Sequence, residues 1–423
     1  EPGTTPTVHI AGSKGKGSTA AYPASILSAA GNRVGLYMSP HVTGYRERFT
    51  IVPPHSAVGS DVGSDVGKTD IDHVDGGAKY EERLAEESFR VWNVVDQLRS
   101  SGRAETSLPT TFELLTALAF CFFPAMECDW IVLETGLGGR LDATNVTQPR
   151  ICAITRIERE HTDYLGNTLP EIAFEKAGII KEGVPVVCAE QRPSVQRVIE
   201  RTARDRAAPF IESTSLISAE TDGSAAPGAA WRGDPVVLPH AFESRVAFPA
   251  MIGAVQGNNI GQALTVYRRL VADGALPTVT ADMIVRAVER CRLPGRGEVI
   301  GDLFLDGAHT PESMAGVVGS YRRRVPAGVH VPIILGIVAG KDVEGIAEAV
   351  RPLVSHVFVS TPGRFKPGDP HSVADRIRSR GISATVVPKP ETALEHARRA
   401  RDRSGFREAP ILVTGSFYMV AEI

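Results

Sequence analysis

Short apolar runs alternate along this chain with segments of helical periodicity. Val8 to Ala11 is an apolar run that ends in a glycine-rich loop. Thr19 to Ala30 then reads as a helix with Pro23 in its first turn, stopped by Gly31, and Val34 to Met38 is the next apolar run. Strand, helix and strand in that order predict a βαβ unit and a parallel sheet with helices on its faces. Glu82 to Arg99 is an amphipathic helix pattern and Thr111 to Phe123 an apolar one. Asp129 to Glu134 reads as a buried strand, Trp-Ile-Val-Leu framed by acids, followed by strands over Arg150 to Ile157 and Pro185 to Ala189. Val236 to Ala250 has strand-like segments, and Gly257 to Ala272 and Ala281 to Arg290 are helical.

Leu293-Pro294-Gly295-Arg296-Gly297 is strong punctuation. Beyond it the alternation restarts, with strands predicted over Glu298 to Phe304, Val331 to Ile337, Val357 to Ser360, Ala384 to Val387 and Ile411 to Thr414. The expected fold class is therefore α/β in two parts. Residues 1–294 form a P-loop-containing N-terminal domain on a mostly parallel sheet, and residues 295–423 a smaller, Rossmann-like α/β domain. Pattern alone leaves the strand order open. Pro53 to Lys79 interrupts the first part, repeats Val-Gly-Ser-Asp in tandem (Val58 to Asp61, Val62 to Asp65) and reads as a flexible surface insertion. Its acids lack the EF-hand spacing and closing Glu. Ala219 to Gly228 is small and polar, a loop.

Composition narrows the function classes. The 423 residues are 43% hydrophobic and 22% charged, ordinary for a globular protein, and the net charge of −3 offers no basic field for nucleic acid. The five cysteines are widely spaced with no CxxC pair, which argues for reduced thiols in a cytoplasmic protein and against a disulfide framework or zinc site. No apolar run is long enough to span a membrane. The chain starts at Glu1-Pro2-Gly3 without Met, so a preceding segment is expected to be missing.

The first chemistry-bearing segment is Gly12-Ser13-Lys14-Gly15-Lys16-Gly17-Ser18-Thr19. It departs from the strict GxxxxGK[ST] spacing, because a second Gly follows Gly15-Lys16. The physics of phosphate binding still applies: glycines turn backbone N–H groups toward phosphate oxygens, the following helix presents its positive N-terminus, and Lys16 neutralises the terminal phosphates.

This variant GxxGKGS loop is characteristic of the Mur ligase superfamily. The rest of the chain resembles one branch of it, the folylpolyglutamate synthase and dihydrofolate synthase family. The resemblance rests on Met38-Ser39-Pro40-His41, Tyr45 to Arg48, Thr110 to Glu113, Leu133 to Asn145 (LETGLGGRLDATN), His161 to Gly166, Glu175 to Ile179, Pro294-Gly295-Arg296, Asp306 to His309 and Val413 to Ser416. It covers essentially the whole chain.

The resemblance implies an ATP-dependent ligase that joins L-glutamate to a folate, or also to dihydropteroate, through an acyl phosphate. It implies nucleotide contacts from Gly12, Gly15, Lys16, Gly17, Ser18 and Thr19, and from Arg296, Asp306 and His309 in the second domain. Ser39 and Glu134 correspond to ligands of the nucleotide-bound magnesium, and His161 to a ligand of a second magnesium. Lys176 corresponds to the family's carbamylated lysine. The catalytic set is then Lys16, Glu134, His161 and Lys176. Thr110 and Glu113 fall where the family handles the pterin, and Ser416 where glutamate-side contacts are expected. Lys341-Asp342 resembles the family's Lys-Asp pair, and by precedent the protein is a monomer.

Four departures bear on this expectation. Ser13-Lys14 replaces the usual Thr-Asn in the loop, Glu160 the usual Asp before His161, Thr310 the usual Asn after Gly-Ala-His, and Val255-Gln256 the usual His-Gln. Two other readings stay open at this level: a Mur ligase acting on a peptidoglycan precursor, and an ATP-binding protein without ligase activity. Gly138 to Asn145 favours the folate branch over the first, and the intact Lys16, Ser39, Glu134, His161 and Lys176 set favours a ligase over the second.

Overall fold

The computed structural model describes residues 5–55, 77–100, 108–216, 231–363, 368–404 and 406–423. The tandem Val-Gly-Ser-Asp repeat and the loop over 219–228 lie outside the described residues.

Two α/β units follow one another along the chain. The first is built on strands β1 (Thr7–Ala11), β2 (Val34–Tyr37), β3 (Thr50–Val52), β4 (Trp130–Glu134), β5 (Ile151–Ile154), β6 (Val186–Cys188) and β7 (Phe210–Glu212), in spatial order β3-β2-β4-β1-β5-β6-β7. All neighbours are parallel except the edge pair β2–β3. Its helices are α1 (Lys16–Ala29), α2 (Gly77–Ser100), α3 (Thr111–Ala125), α4 (Thr162–Leu165), α5 (Leu169–Ala177), α6 (Pro193–Asp205), α7 (Gln256–Ala272) and α8 (Ala281–Arg290). A small hairpin, β8 (Val236–Val237) with β9 (Val246–Ala247), precedes α7.

The second unit is a sheet in the order β10-β11-β15-β12-β13-β14. Its strands are β10 (Arg296–Ile300), β11 (Leu303–Asp306), β12 (Val331–Leu335), β13 (Val354–Val359), β14 (Ala384–Val386) and β15 (Ile411–Thr414). Helices α9 (Pro311–Arg322), α10 (Val343–Val350), α11 (Pro370–Ser379), α12 (Pro390–Ser404) and α13 (Phe417–Val420) complete it. The fold class is thus α/β with a mostly parallel P-loop sheet and a smaller Rossmann-like sheet.

β1 and β4 sit at the centre of the first sheet, and parallel strands covered on both faces must be apolar on both. Val8 and Ile10 pack with α1, α7 and α8 on one face. The opposite face carries two separate clusters, one of Tyr37, Phe122, Phe123 and Leu133 under α3, the other of Ile154, Ile172 and Ile199 under α5 and α6.

Some elements differ from the sequence reading. Helix α1 starts at Lys16, not Thr19, so Pro23 lies inside it rather than in its first turn. Gly15, at φ 83°, makes the turn, and Thr19 N–H already donates to the Gly15 carbonyl at 2.7 Å. Pro23 has no N–H for the Thr19 carbonyl, a local defect the helix carries. Glu298 to Phe304 is two antiparallel strands, β10 and β11, reversing at Gly301 with φ 57°. Strands β3 and β7, three residues each, fall outside the predicted strands, whereas the equally short β6 and β14 lie within them.

Candidate active site

Ligands of open α/β sheets bind beyond the carboxyl ends of the strands, and the predicted site residues gather there. The loop after β1 is fixed first. Ser13 and Lys14 N–H groups donate to the Arg156 carbonyl at 3.1 and 3.2 Å, and the Ser13 hydroxyl donates to the Glu158 carbonyl. A Cβ on Gly12 would fall 1.9 Å from Thr155 Oγ1, and Gly15 holds a left-handed φ, so both positions require glycine. Gly17, Ser18 and Thr19 form the buried first turn of α1, and Lys16 leads it. Thr19 Oγ1 donates to Asn259 Oδ1 at 3.2 Å, and Asn259 in turn donates to Gln256 Oε1. Asn259 on α7 therefore braces the loop. No pattern in the sequence marks it, because the bond spans two distant helices.

Ser39 lies two residues beyond β2 and Glu134 ends the adjacent strand β4, and Ser39 N–H donates to Glu134 Oε2 at 3.0 Å. Glu134 is buried. Burial pushes its carboxyl above the usual carboxylate range, against the pull of Lys16, Arg296, the Ser39 N–H and Arg48. A buried carboxylate at the end of a strand calls for a cation, and an oxygen-donor pair beside a phosphate loop fits magnesium.

Beyond β5, His161 adopts φ 50° and ψ 40° at the start of α4, an uncommon backbone state for a residue other than glycine. Burial lowers its pKa, Glu160 opposes this, and Lys176, Lys16 and Lys341 add to it. All four therefore share its surroundings. Lys176 on α5 is fully buried and donates to the Gly12 carbonyl at 2.7 Å and Glu160 Oε1 at 3.0 Å. Burial and Lys16 bring its amine down to about 8, with Glu160 opposing. The Glu160 substitution thus becomes intelligible: its longer arm reaches the Lys176 amine. Among the described residues no group of three or more His, Cys, Asp or Glu could hold a metal by itself. Any ion here would draw ligands from the substrates as well.

The second unit meets the loop directly. A Cβ on Gly17 would lie 3.0 Å from Arg296 Nη2, and the Arg296 guanidinium stacks on Phe417 at 4.8 Å. Asp306, opposite Arg296 in the β10–β11 register, accepts the Gly297 and Ala308 N–H groups, and burial raises its pKa to about 6. His309 holds the Gly307 carbonyl through Nδ1. Burial lowers its pKa, as do Lys341 and Lys14. Lys14 also lowers the pKa of Lys341, after burial, so loop and second unit present cations to one another.

Thr110 and Glu113 form a reciprocal cap at the start of α3: Glu113 Oε2 accepts from Thr110 N and Oγ1, and Thr110 Oγ1 accepts from Glu113 N. They stand with Ser39, Arg48, Phe112 and Leu137 around a cavity of about 660 Å³. Ser416 is placed differently. It is buried at the start of α13, with its hydroxyl donating to the Gly336 carbonyl at 2.8 Å and accepting from Met419 N–H at 3.0 Å. Its side chain is spent on structure.

A glycine-rich loop at a strand–helix junction, a carboxylate on the neighbouring strand and a second α/β unit supplying Arg296 match the arrangement expected of a Mur ligase. Residues 295–417 match the family model described as the Mur ligase, glutamate ligase domain. The chain is 26% identical over 430 residues to the dihydrofolate synthase/folylpolyglutamate synthase of Bacillus subtilis, covering 98% of this chain and 89% of that protein. It is 31% identical over 338 residues to a folylpolyglutamate synthase of Arabidopsis thaliana, covering 73% of this chain but only 46% of the plant protein, so it matches about half the length of that relative. A Mycobacterium tuberculosis folylpolyglutamate synthase solved with ADP and AMPPCP superposes with a TM-score of 0.80 at 25% identity, covering 99% of this chain and 90% of that one. Over nearly its whole length the chain is thus similar to folylpolyglutamate synthases and dihydrofolate synthases.

Proposed function

We propose that the protein is an ATP-dependent ligase that adds L-glutamate to a folate, and to dihydropteroate if bifunctional. The observation that carries this is the convergence of Lys16, Glu134, His161, Lys176 and Arg296 on one phosphate-binding loop, next to a cavity that Thr110 and Glu113 border. The names and ligands of the relatives support it: ADP and AMPPCP in the mycobacterial structure, and folate ligation in the Bacillus and Arabidopsis proteins.

A carboxylate is a poor acyl donor because oxide would have to leave. In the proposed reaction its oxygen attacks the γ-phosphorus of ATP and ADP departs. The glutamate amine then attacks the acyl carbon, loses a proton, and phosphate leaves. The protein positions the groups and neutralises charge. Loop N–H groups and Lys16 hold the phosphates, and Arg296 brings the second domain onto them. We place the division between the domains at 294/295, in the stretch between α8 and β10.

Magnesium, when bound, neutralises the phosphate oxygens as charge shifts in transfer. Ser39 and Glu134 would hold one ion and His161 a second. Lys176 with a neutral amine can add carbon dioxide. The carbamate would stand beside Glu160 in place of an ammonium, and two adjacent anions need a divalent cation between them. The substrates are small molecules, and no described helix is long and apolar enough to cross a membrane. We further propose a cytoplasmic monomer with no nucleic-acid partner, from the charge balance and family precedent.

The test is ATP-dependent ADP release with glutamate plus either tetrahydrofolate or dihydropteroate. Turnover with one identifies a monofunctional enzyme and with both a bifunctional one; turnover with neither overturns the folate assignment.

A further inference from the structure

The central strand of a doubly covered parallel sheet is normally apolar throughout. β1 obeys this at Val8, Ile10 and Ala11 but not at Thr7, where the strand begins, nor at His9, which is fully buried in its middle. Val8 and Ile10 face the α1 side, so alternation turns His9 to the other. There the apolar lining is divided between the cluster under α3 and the one under α5 and α6. The 3₁₀ turn Ala143–Val146 stands over this strand.

The hydrogen bonds run in one line. His9 Nε2 lies 2.8 Å from Thr144 Oγ1. That hydroxyl gives its only proton to Asp142 Oδ1 at 2.6 Å, so it accepts from His9, and the ring is the Nε2–H tautomer. Asp142 Oδ1 also takes the Thr144 N–H at 3.0 Å, and Asp142 Oδ2 takes the Leu137 N–H at 2.8 Å. Leu137 and its glycine neighbours wall the 660 Å³ cavity. Burial, with Lys181 adding, drives the His9 pKa down to about 3, so the ring stays neutral and the donor stays in place at any working pH. The other ring nitrogen, Nδ1, is buried and finds no partner among the described residues. That is a cost an apolar residue would not incur, which leaves the Nε2–H donor as the reason for a histidine here.

We propose that His9 is a positioning residue: through Thr144 and Asp142 it fixes the Leu137 backbone, and with it the wall of the cleft that receives the carboxylate substrate. The substrate half of this statement rests on the ligase reading above; the line of hydrogen bonds does not.

The test compares His9→Leu, which removes the donor, with His9→Gln, which keeps an amide donor at similar reach. Thr144→Val and Thr144→Ser form the parallel pair at the next link. Amide hydrogen exchange is followed over residues 136–142, beside KM for the folate and for ATP. His9→Leu and Thr144→Val should each speed exchange in that segment and raise KM for the folate by about tenfold, the scale of one hydrogen bond to a charged network. KM for ATP should stay put, Gln and Ser should restore both readouts, and the double variant should be no worse than either single one. Unchanged exchange over 136–142 in His9→Leu overturns the proposal. So does faster exchange spread over all of β1 and β4 with equal losses toward both substrates, the signature of general loosening. If His9→Leu does not fold, Thr144→Val decides by the same criteria. Faster exchange confined to 136–142 in a protein whose parent turns over no folate would support the hydrogen-bonded line and overturn the ligase reading alone.

Discussion

The first sheet has a cavity at each end, and their contrast locates the chemistry. The cavity of about 660 Å³ lies at the carboxyl ends of the strands, the other, of about 550 Å³, at their amino ends. Size does not distinguish them; the chemistry of their surroundings does. Beside the first, Glu134 and Lys176 are buried charges with displaced pKa values. Around the second stand Pro6, Pro149 and Pro185, with Arg269 paired to Asp273 one helical turn away at 2.8 Å. A Cβ on Gly183 there would meet nothing within 4 Å, whereas one on Gly12 would strike Thr155. Buried, strained and charged groups are costly, and this protein concentrates them at one end. That asymmetry, rather than concavity, marks a functional site.

The strongest way to break the contrast is Glu134→Gln. It should lower magnesium-dependent turnover by at least about a hundredfold, because an oxygen ligand loses its charge. The fold should survive. The folded pKa of Glu134 is raised above its unfolded value, so the ionised carboxylate weakens the folded state once pH exceeds the unfolded pKa. The neutral amide relieves this, and the melting temperature at pH 7 should hold or rise. Near-normal turnover would remove Glu134 from the metal site.

A smaller effect is expected from bicarbonate. The Lys176 amine is brought down to about 8 from the ordinary lysine value of 10.5, so its neutral form becomes abundant about pH 8. With ¹³C-bicarbonate, a carbamate signal should grow as pH rises through 8, and bicarbonate depletion should cut turnover severalfold, most strongly below pH 8. The linkage has a matching sign: between about 8 and 10.5 the unfolded chain binds the extra proton, so this group adds stability as pH rises. A signal that appears only near 10.5 would mean Lys176 is an ordinary amine.

How much of this was legible in the sequence depended on the range of the interaction. The βα alternation, the loop and the contiguous run from Leu133 to Asn145 are local, and the residues of one segment announce their element. Ser39, Glu134, His161 and Lys176 stood out through the family resemblance, not through their own spacing. Asn259, His9 and the approach of Arg296 to Gly17 depend on how separate elements pack, which no single stretch encodes. Ser416 shows the converse: a residue in a recognised motif whose hydroxyl is occupied by a helix cap. Edge strands β3 and β7 were missed, and the β10–β11 reversal was lost because a single turn at Gly301 divides what reads as one apolar run.

Lys14 sharpens the contrast within the carboxyl-end site. It faces Lys341 and His309 from the opposite unit, and like charges across a cleft repel until an anion lies between them. Lys14→Asn should raise KM for ATP about two- to fivefold, as expected for a partly exposed charge, with kcat little changed. Raising the salt should erase the difference between the two proteins, since partly exposed charges are screened. A salt-independent loss would instead place Lys14 in a buried contact.

The smallest effect belongs to the opposite cavity. Arg150 precedes β5 at the amino end of the sheet, on the rim of the 550 Å³ space. Arg150→Ala should leave kcat and every KM within about twofold, since a surface charge remote from the reacting groups contributes little. Thermal stability should move by less than about 1 kcal/mol, in line with surface substitutions away from buried networks. The measurement is worth making because the two cavities are so close in size. If Arg150→Ala altered the KM for any substrate as strongly as Lys14→Asn alters that for ATP, burial of charge would no longer separate working cavities from idle ones. The amino end of the sheet would then have to be reread as a ligand site.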